Sequence, residues 1–178
     1  TRFLTRDEID RLIFAAPAHL TPLIKIALYT GMRRGEILGL GWSDVAEDGT
    51  SARLTRTKSG EARTVYFSRA AREVIAEQRA AANGPYVFHH DGLPYRGIGS
   101  AWRRALRRAG IENFRFHDLR HTFASHMVMR GADIRSVQSL LGHKSITMTL
   151  RYSHLSAGHL RDAVERIADL APGVQWVS

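Results

Sequence analysis

The chain is 178 residues long, 44% hydrophobic and 24% charged, which suits one globular domain able to bury its own core and excludes wholesale disorder. It holds no cysteine, and this excludes disulfide staples, thiolate metal sites, iron–sulfur clusters and a cysteine nucleophile. Lys and Arg number 26 against 17 Asp and Glu, a net charge of +9 that directs attention to polyanionic partners.

Thr5-Arg6-Asp7-Glu8 has the pattern of a capping box, with Leu4 and Ile9 as a hydrophobic staple, and predicts a helix over 6–16. Thr21-Pro22 starts a second helix where proline is tolerated, and Gly31 ends it. A short helix is expected over 35–40. Residues 51–57 and 62–67 alternate polar and apolar side chains around Lys58-Ser59-Gly60, as a β-hairpin with a glycine turn does. Ser68 caps a helix reaching about Ala82, broken by Asn83-Gly84-Pro85. Further helices are predicted over 98–109, ending at Gly110, and over 118–130, where Leu119, Phe123 and Met127 mark a buried stripe. Asp133 caps one that closes at Gly142, and a last helix is expected over 157–170, with Leu160, Val164, Ile167 and Leu170 as its apolar stripe. The expected fold class is mainly α with a small antiparallel β-sheet, an α+β arrangement in a single domain over 1–178. No apolar stretch approaches a membrane span, and the N-terminal residues show no signal-peptide core, so a cytoplasmic setting is expected.

The positive charge is unevenly spread. Arg96, Arg103, Arg104, Arg107 and Arg108 fall within thirteen residues that contain no acid, with Trp102 among them. Such a stripe is the electrostatic footprint of nucleic-acid binding, or else a solvated helix face.

Four local clusters carry possible chemistry: Thr30-Gly31-Met32-Arg33 with Glu36, Lys58 at the hairpin tip, His117-Asp118-Leu119-Arg120-His121, and Leu141-Gly142-His143 with Tyr152 nine residues later. His117 and His121 have the spacing of a paired-histidine zinc helix, but Asp118 is a short replacement for the usual glutamate and Arg120 would repel a divalent cation, so no metal is expected. Taken together the clusters supply what phosphoryl transfer without a metal needs. Arginine forks grip non-bridging phosphate oxygens, tyrosine can act as a nucleophile in a cationic site, and lysine or histidine can protonate a leaving alkoxide.

These motifs, with Thr57-Lys58-Ser59-Gly60…Arg63-Thr64-Val65 and Arg151-Tyr152-Ser153-His154, resemble the phage-integrase family of tyrosine recombinases in identity, order and spacing. The resemblance covers essentially the whole chain as that family's catalytic domain; Tyr66 and Gly41 depart from common family residues at non-catalytic positions. It implies that Arg33 and Arg120 clamp the scissile phosphate, that Lys58 protonates the departing 5′ oxygen, and that His117 shuttles the nucleophile's proton. It further implies that His143 bonds a phosphate oxygen, that Glu36 orients Arg33 or its neighbours, and that Tyr152 attacks to leave a 3′-phosphotyrosyl bond, with no cofactor, metal or ATP. The implied partner is double-stranded DNA, bound as a homotetramer on paired recombination sites, with a monomer expected for a free fragment. The family's N-terminal DNA-binding domain would lie outside this chain, and the final helix would dock into a neighbouring protomer on DNA or pack its stripe against its own domain. Type IB topoisomerase-like relaxation and a non-catalytic DNA-binding module are the alternatives.

Overall fold

The computed structural model describes residues 2–55 and 62–156. Its elements follow the local punctuation closely. Helix α1 (Arg6–Ala15) opens with the capping box: Glu8 N–H donates to Thr5 Oγ1 at 3.3 Å, and the Glu8 carboxylate accepts from Thr5 N–H at 2.9 Å. Helix α2 (Thr21–Thr30) takes Pro22 in its first turn and stops at Gly31, whose φ of 64° is the left-handed conformation that a side chain would disfavour. The short α3 (Arg34–Leu38) follows within three residues.

Strands β1 (Ser51–Leu54) and β2 (Arg63–Tyr66) pair antiparallel, Ser51 opposite Tyr66 and Leu54 opposite Arg63. The hairpin tip with Lys58 lies outside the described residues. Ser68 caps α4 (Arg69–Ala80). A two-residue pair, β3 (His89–His90) and β4 (Leu93–Pro94), brackets the Asp91-Gly92 turn. Helices α5 (Gly99–Ala109), α6 (Asp118–Met129) and α7 (Ile134–Leu141) come next, then α8 (Thr147–Leu150). The sequence pattern does not announce α8, because four residues cannot display a helical period and two of them are β-branched threonines. Buried Thr149 anchors it. The expected helix over 157–170 lies outside the described residues. Among the described residues no helix is long and apolar enough to cross a membrane.

Helix α6 is the axis of the molecule. Leu119, Thr122, Phe123, Ala124, Ser125 and Val128 are all buried, so it is enclosed on most sides, whereas Met127 of the expected stripe is only half-buried. It packs against α2 and α7, and the N-terminal segment is bound along it: Leu4 N–H donates to Thr122 Oγ1 at 3.1 Å and Leu4 O meets His126 Nε2 at 2.8 Å. The first turn of α6 thereby faces the ends of α2 and α7, and the chemistry collects there.

Candidate active site

Arg120 occupies the first turn of α6 and is only 3% exposed. Its guanidinium donates one N–H to Gly31 O at 2.7 Å and another to Leu141 O at 2.5 Å. These carbonyls mark the C-terminal ends of α2 and α7, where the partial negative charge of each helix accumulates. Both helices turn away through glycines in the left-handed region, Gly31 and Gly142. Burial foremost, and then the charges of Arg33 and Arg63, lower the Arg120 pKa to about 9. Two of its five N–H donors are committed to these carbonyls.

Arg33 is the N-cap of α3, two residues beyond Gly31. Glu36 fixes it twice, accepting from the Arg33 N–H at 2.8 Å and from the guanidinium at 2.8 Å. The same carboxylate accepts from Arg63 at 2.7 Å, while Arg63 donates its other amino group to Leu140 O at 2.8 Å. Burial alone would raise the Glu36 pKa, but Arg63's charge and the Arg33 hydrogen bonds outweigh it and hold the carboxylate below its usual range. A Cβ at position 142 would lie 2.4 Å from Arg63 Cδ, so Gly142 is required for both backbone conformation and space.

His143 follows Gly142. Its Nδ1 pairs with Thr149 Oγ1 at 2.9 Å, and its carbonyl accepts from Gln138 Nε2 at 3.1 Å. Burial first, then Arg120 and Arg33, lower its pKa to about 4. Tyr152 is 1% exposed, packed with Phe123, Val137 and Leu141, and its hydroxyl pairs with His121 Nδ1 at 2.5 Å. Burial raises the Tyr152 pKa against the opposing charges of Arg151 and Arg120. His117 immediately precedes α6 and meets His121 edge-on, ring centroids 5.5 Å apart. Burial, then Arg120, lower its pKa.

A groove of about 920 Å³ brings Arg33, Arg34, His117 and Arg115 together with Arg103 of the basic stripe. Arg96, Arg104, Arg107 and Arg108 are exposed but do not line it. Trp102 is not a free ring beside them; it is 6% exposed and packs edge-on against Phe116 at 5.2 Å, anchoring α5. Of the residues expected at the site, Arg33, Glu36, His117, Arg120, His143 and Tyr152 surround the start of α6, and Lys58 lies outside the described residues. Sequence reasoning passed over His121 except as a zinc ligand, and did not separate Arg63 from its motif. His121 adjoins Arg120, which was a usable signal, but its partner is 31 residues away.

The chain matches the phage integrase family over residues 2–159. It belongs to that family. The integrase of Salmonella phage P22 is 35% identical over 182 residues, covering 93% of this chain and 47% of the phage protein. The catalytic domain of bacteriophage HP1 integrase is 32% identical, with a TM-score of 0.72 and coverage of 92% of this chain and 93% of that one. A lambda integrase dimer bound to a COC′ core site is 25% identical, with a TM-score of 0.70 over 83% of this chain and 59% of that one. The chain spans about half the length of the phage integrases it matches. The fold is that of the tyrosine recombinase catalytic domain.

The two depressed histidines have a consequence for this family member's stability. His121 and His143 have folded-state pKa values of about 4, against about 6.5 in an unfolded chain, so their contribution is fully present above pH 6.5 and is lost as pH falls towards 4. The urea midpoint should therefore be lower at pH 5.5 than at pH 7.5, and His143→Asn should narrow the gap. Equal midpoints at both pH values would mean that neither histidine is held neutral by the fold.

Proposed function

We propose that this chain is the catalytic domain of a site-specific DNA recombinase, with Tyr152 as the nucleophile. The observation that carries the reading is the buried Arg120, whose guanidinium bridges the two helix ends from which Arg33 and His143 emerge, on the same turn of α6 that meets the Tyr152 hydroxyl. Arg33 and Arg63 share the Glu36 carboxylate and Arg120 is bonded to two backbone carbonyls, so the site has an unmatched positive charge suited to a phosphodiester. Arg33 and the free donors of Arg120 grip the non-bridging oxygens, His143 bonds one of them, and Glu36 and Arg63 keep Arg33 in place. The Tyr152 oxygen attacks phosphorus, the 5′ oxygen leaves with a proton from Lys58, and a 3′-phosphotyrosyl bond remains. That bond retains the energy of the phosphodiester, so a second 5′ hydroxyl can reverse the step without ATP. His117 lines the groove beside Arg33.

Recombination between two duplexes cuts four strands and each chain offers one Tyr152, which supports a homotetramer on paired double-stranded sites. The similarity to integrases favours recombination over type IB relaxation and over a non-catalytic DNA-binding module. The lambda relative bound to a core site supports DNA as the partner. Within this reading Arg103 extends the groove along the duplex, with Arg96, Arg104, Arg107 and Arg108 on the exposed flank.

A library of nicked duplexes that lose their 5′ fragment on cleavage would test the reading. The wild-type chain should yield an SDS-resistant protein–DNA adduct on a subset of sequences, and Tyr152→Phe should bind the same duplexes and yield none. An adduct that persists in the phenylalanine variant would assign the nucleophile elsewhere.

The basic stripe makes a separate prediction. Replacing Arg103 and Arg107 together with glutamine should flatten the dependence of log K on log salt by about 0.9 for each phosphate that is no longer neutralised. An unchanged slope and unchanged sequence preference would reduce the stripe to a solvated helix face.

A further inference from the structure

The family resemblance assigns the nucleophile's proton to His117, but the geometry at Tyr152 points to a different residue. The Tyr152 ring is fixed by its packing in the α6–α7 core, and its hydroxyl is 2.5 Å from His121 Nδ1. Among the described residues no hydrogen bond joins His117 to Tyr152; His117 instead abuts the His121 ring at 5.5 Å between centroids. His121 also follows Arg120 directly, so the group touching the nucleophile and the proposed phosphate clamp share one rigid turn of helix.

We propose that His121 is the catalytic base for Tyr152, its Nδ1 taking the phenol proton as the Tyr152 oxygen attacks phosphorus. This rests on the reading of Tyr152 as nucleophile. In the forward step the phenol O–H bond breaks and an N–H bond forms at Nδ1. An oxygen lone pair makes the new P–O bond, and the electron pair of the old one leaves with the 5′ oxygen, which takes its proton from Lys58. In religation the incoming 5′ hydroxyl returns its proton to Lys58, the tyrosyl–phosphorus bond breaks, and the phenolate recovers its proton from His121.

The protonation states suit this direction of transfer. Burial, and then the neighbouring His117, lower the His121 pKa to about 4, so its ring is neutral at physiological pH and has a lone pair to offer. Burial keeps the Tyr152 phenol protonated and able to donate. Arg151 and Arg120 are among the charges that depress His121. A cleft of about 580 Å³ lined by Arg2, Arg115, Arg151 and His121 gives the imidazole access to water, and His117 at its other edge connects it to the groove that holds Arg33.

Two measurements on the full chain test the assignment. In the DNA-free protein, ¹⁵N NMR of labelled histidine should find His121 Nδ1 unprotonated and accepting a hydrogen bond, with the proton on Nε2, and Tyr152→Phe should shift the Nδ1 resonance. A protonated Nδ1 donating to the phenol would overturn the proposal without any DNA being needed. On a nicked duplex captured by the wild-type chain, His121→Asn keeps a polar side chain near the hydroxyl but cannot take its proton. Single-turnover cleavage should fall about 10²–10⁴-fold, the scale of general-base catalysis. Placing the more acidic 3,5-difluorotyrosine at position 152 should recover at least about tenfold of that loss, which a purely structural role would not allow. A wild-type rate in His121→Asn, with Tyr152→Phe still inactive, would sink this inference and leave Tyr152 as nucleophile; an adduct surviving Tyr152→Phe would remove the nucleophile itself. If far-UV circular dichroism found His121→Asn unfolded, the NMR result alone would decide.

Discussion

A single buried cation holds this site together. Arg120 projects from the first turn of α6 and ties Gly31 O to Leu141 O, joining helix ends that lie 89 and 21 residues from it in sequence. Desolvating a guanidinium is costly, and the pKa depressed to about 9 records that cost. The cost is offset because both acceptors sit at helix C-termini, where carbonyls without intrahelical partners need a donor. The left-handed glycines at 31 and 142 expose those carbonyls and reverse the chain, so that Arg33 and His143 each emerge two residues after a bonded carbonyl.

Around this bridge the charge is left unequal in sign. Arg33 and Arg63 share the Glu36 carboxylate, and burial first, then the neighbouring guanidinium charges, lowers the pKa values of Arg63 and Arg120. Arg63 uses Glu36 and Leu140 O to connect β2, and so the hairpin that carries Lys58 in sequence, to the end of α7. The proposed phosphate clamp would have its donors fixed by the protein before an anion arrives, which is what preorganised electrostatic stabilisation requires. Tyr152 lies beside that field in an apolar cluster, and its hydroxyl pairs with His121, which lines an open cleft with Arg115 and Arg151.

The parts of the fold that obey local rules were legible in the sequence. Thr5, Ser68 and Asp133 each cap the helix they announce, and Gly31, Gly110 and Gly142 each end one in the left-handed conformation. Glu36, which the family resemblance implies orients Arg33 or its neighbours, bonds both Arg33 and Arg63. What escaped was non-local. The bond from Arg63 to Leu140 spans 77 residues, and nothing in an alternating strand distinguishes a buried guanidinium from a solvated one. His121 was weighed against His117 by helical spacing, whereas its actual partner comes from a segment after α8 that has no period of its own. Trp102 looked like part of a nucleic-acid surface because of its arginine neighbours, yet the helical turn points it inward to Phe114 and Phe116.

The claim on which the rest depends is that Arg120 holds the ends of α2 and α7 in place. Amide hydrogen exchange in Arg120→Met measures this directly, since methionine retains length and loses the donors. The amides of Gly31, Gly142 and His143, bonded to Ala27 O, Ser139 O and Gln138 O, should exchange about tenfold to a hundredfold faster, as expected for losing one buried hydrogen bond at each end. The amides of α4 and α5 should retain their protection. Unchanged exchange at both helix ends would contradict the account and make Arg120 a passenger on a scaffold built by other contacts.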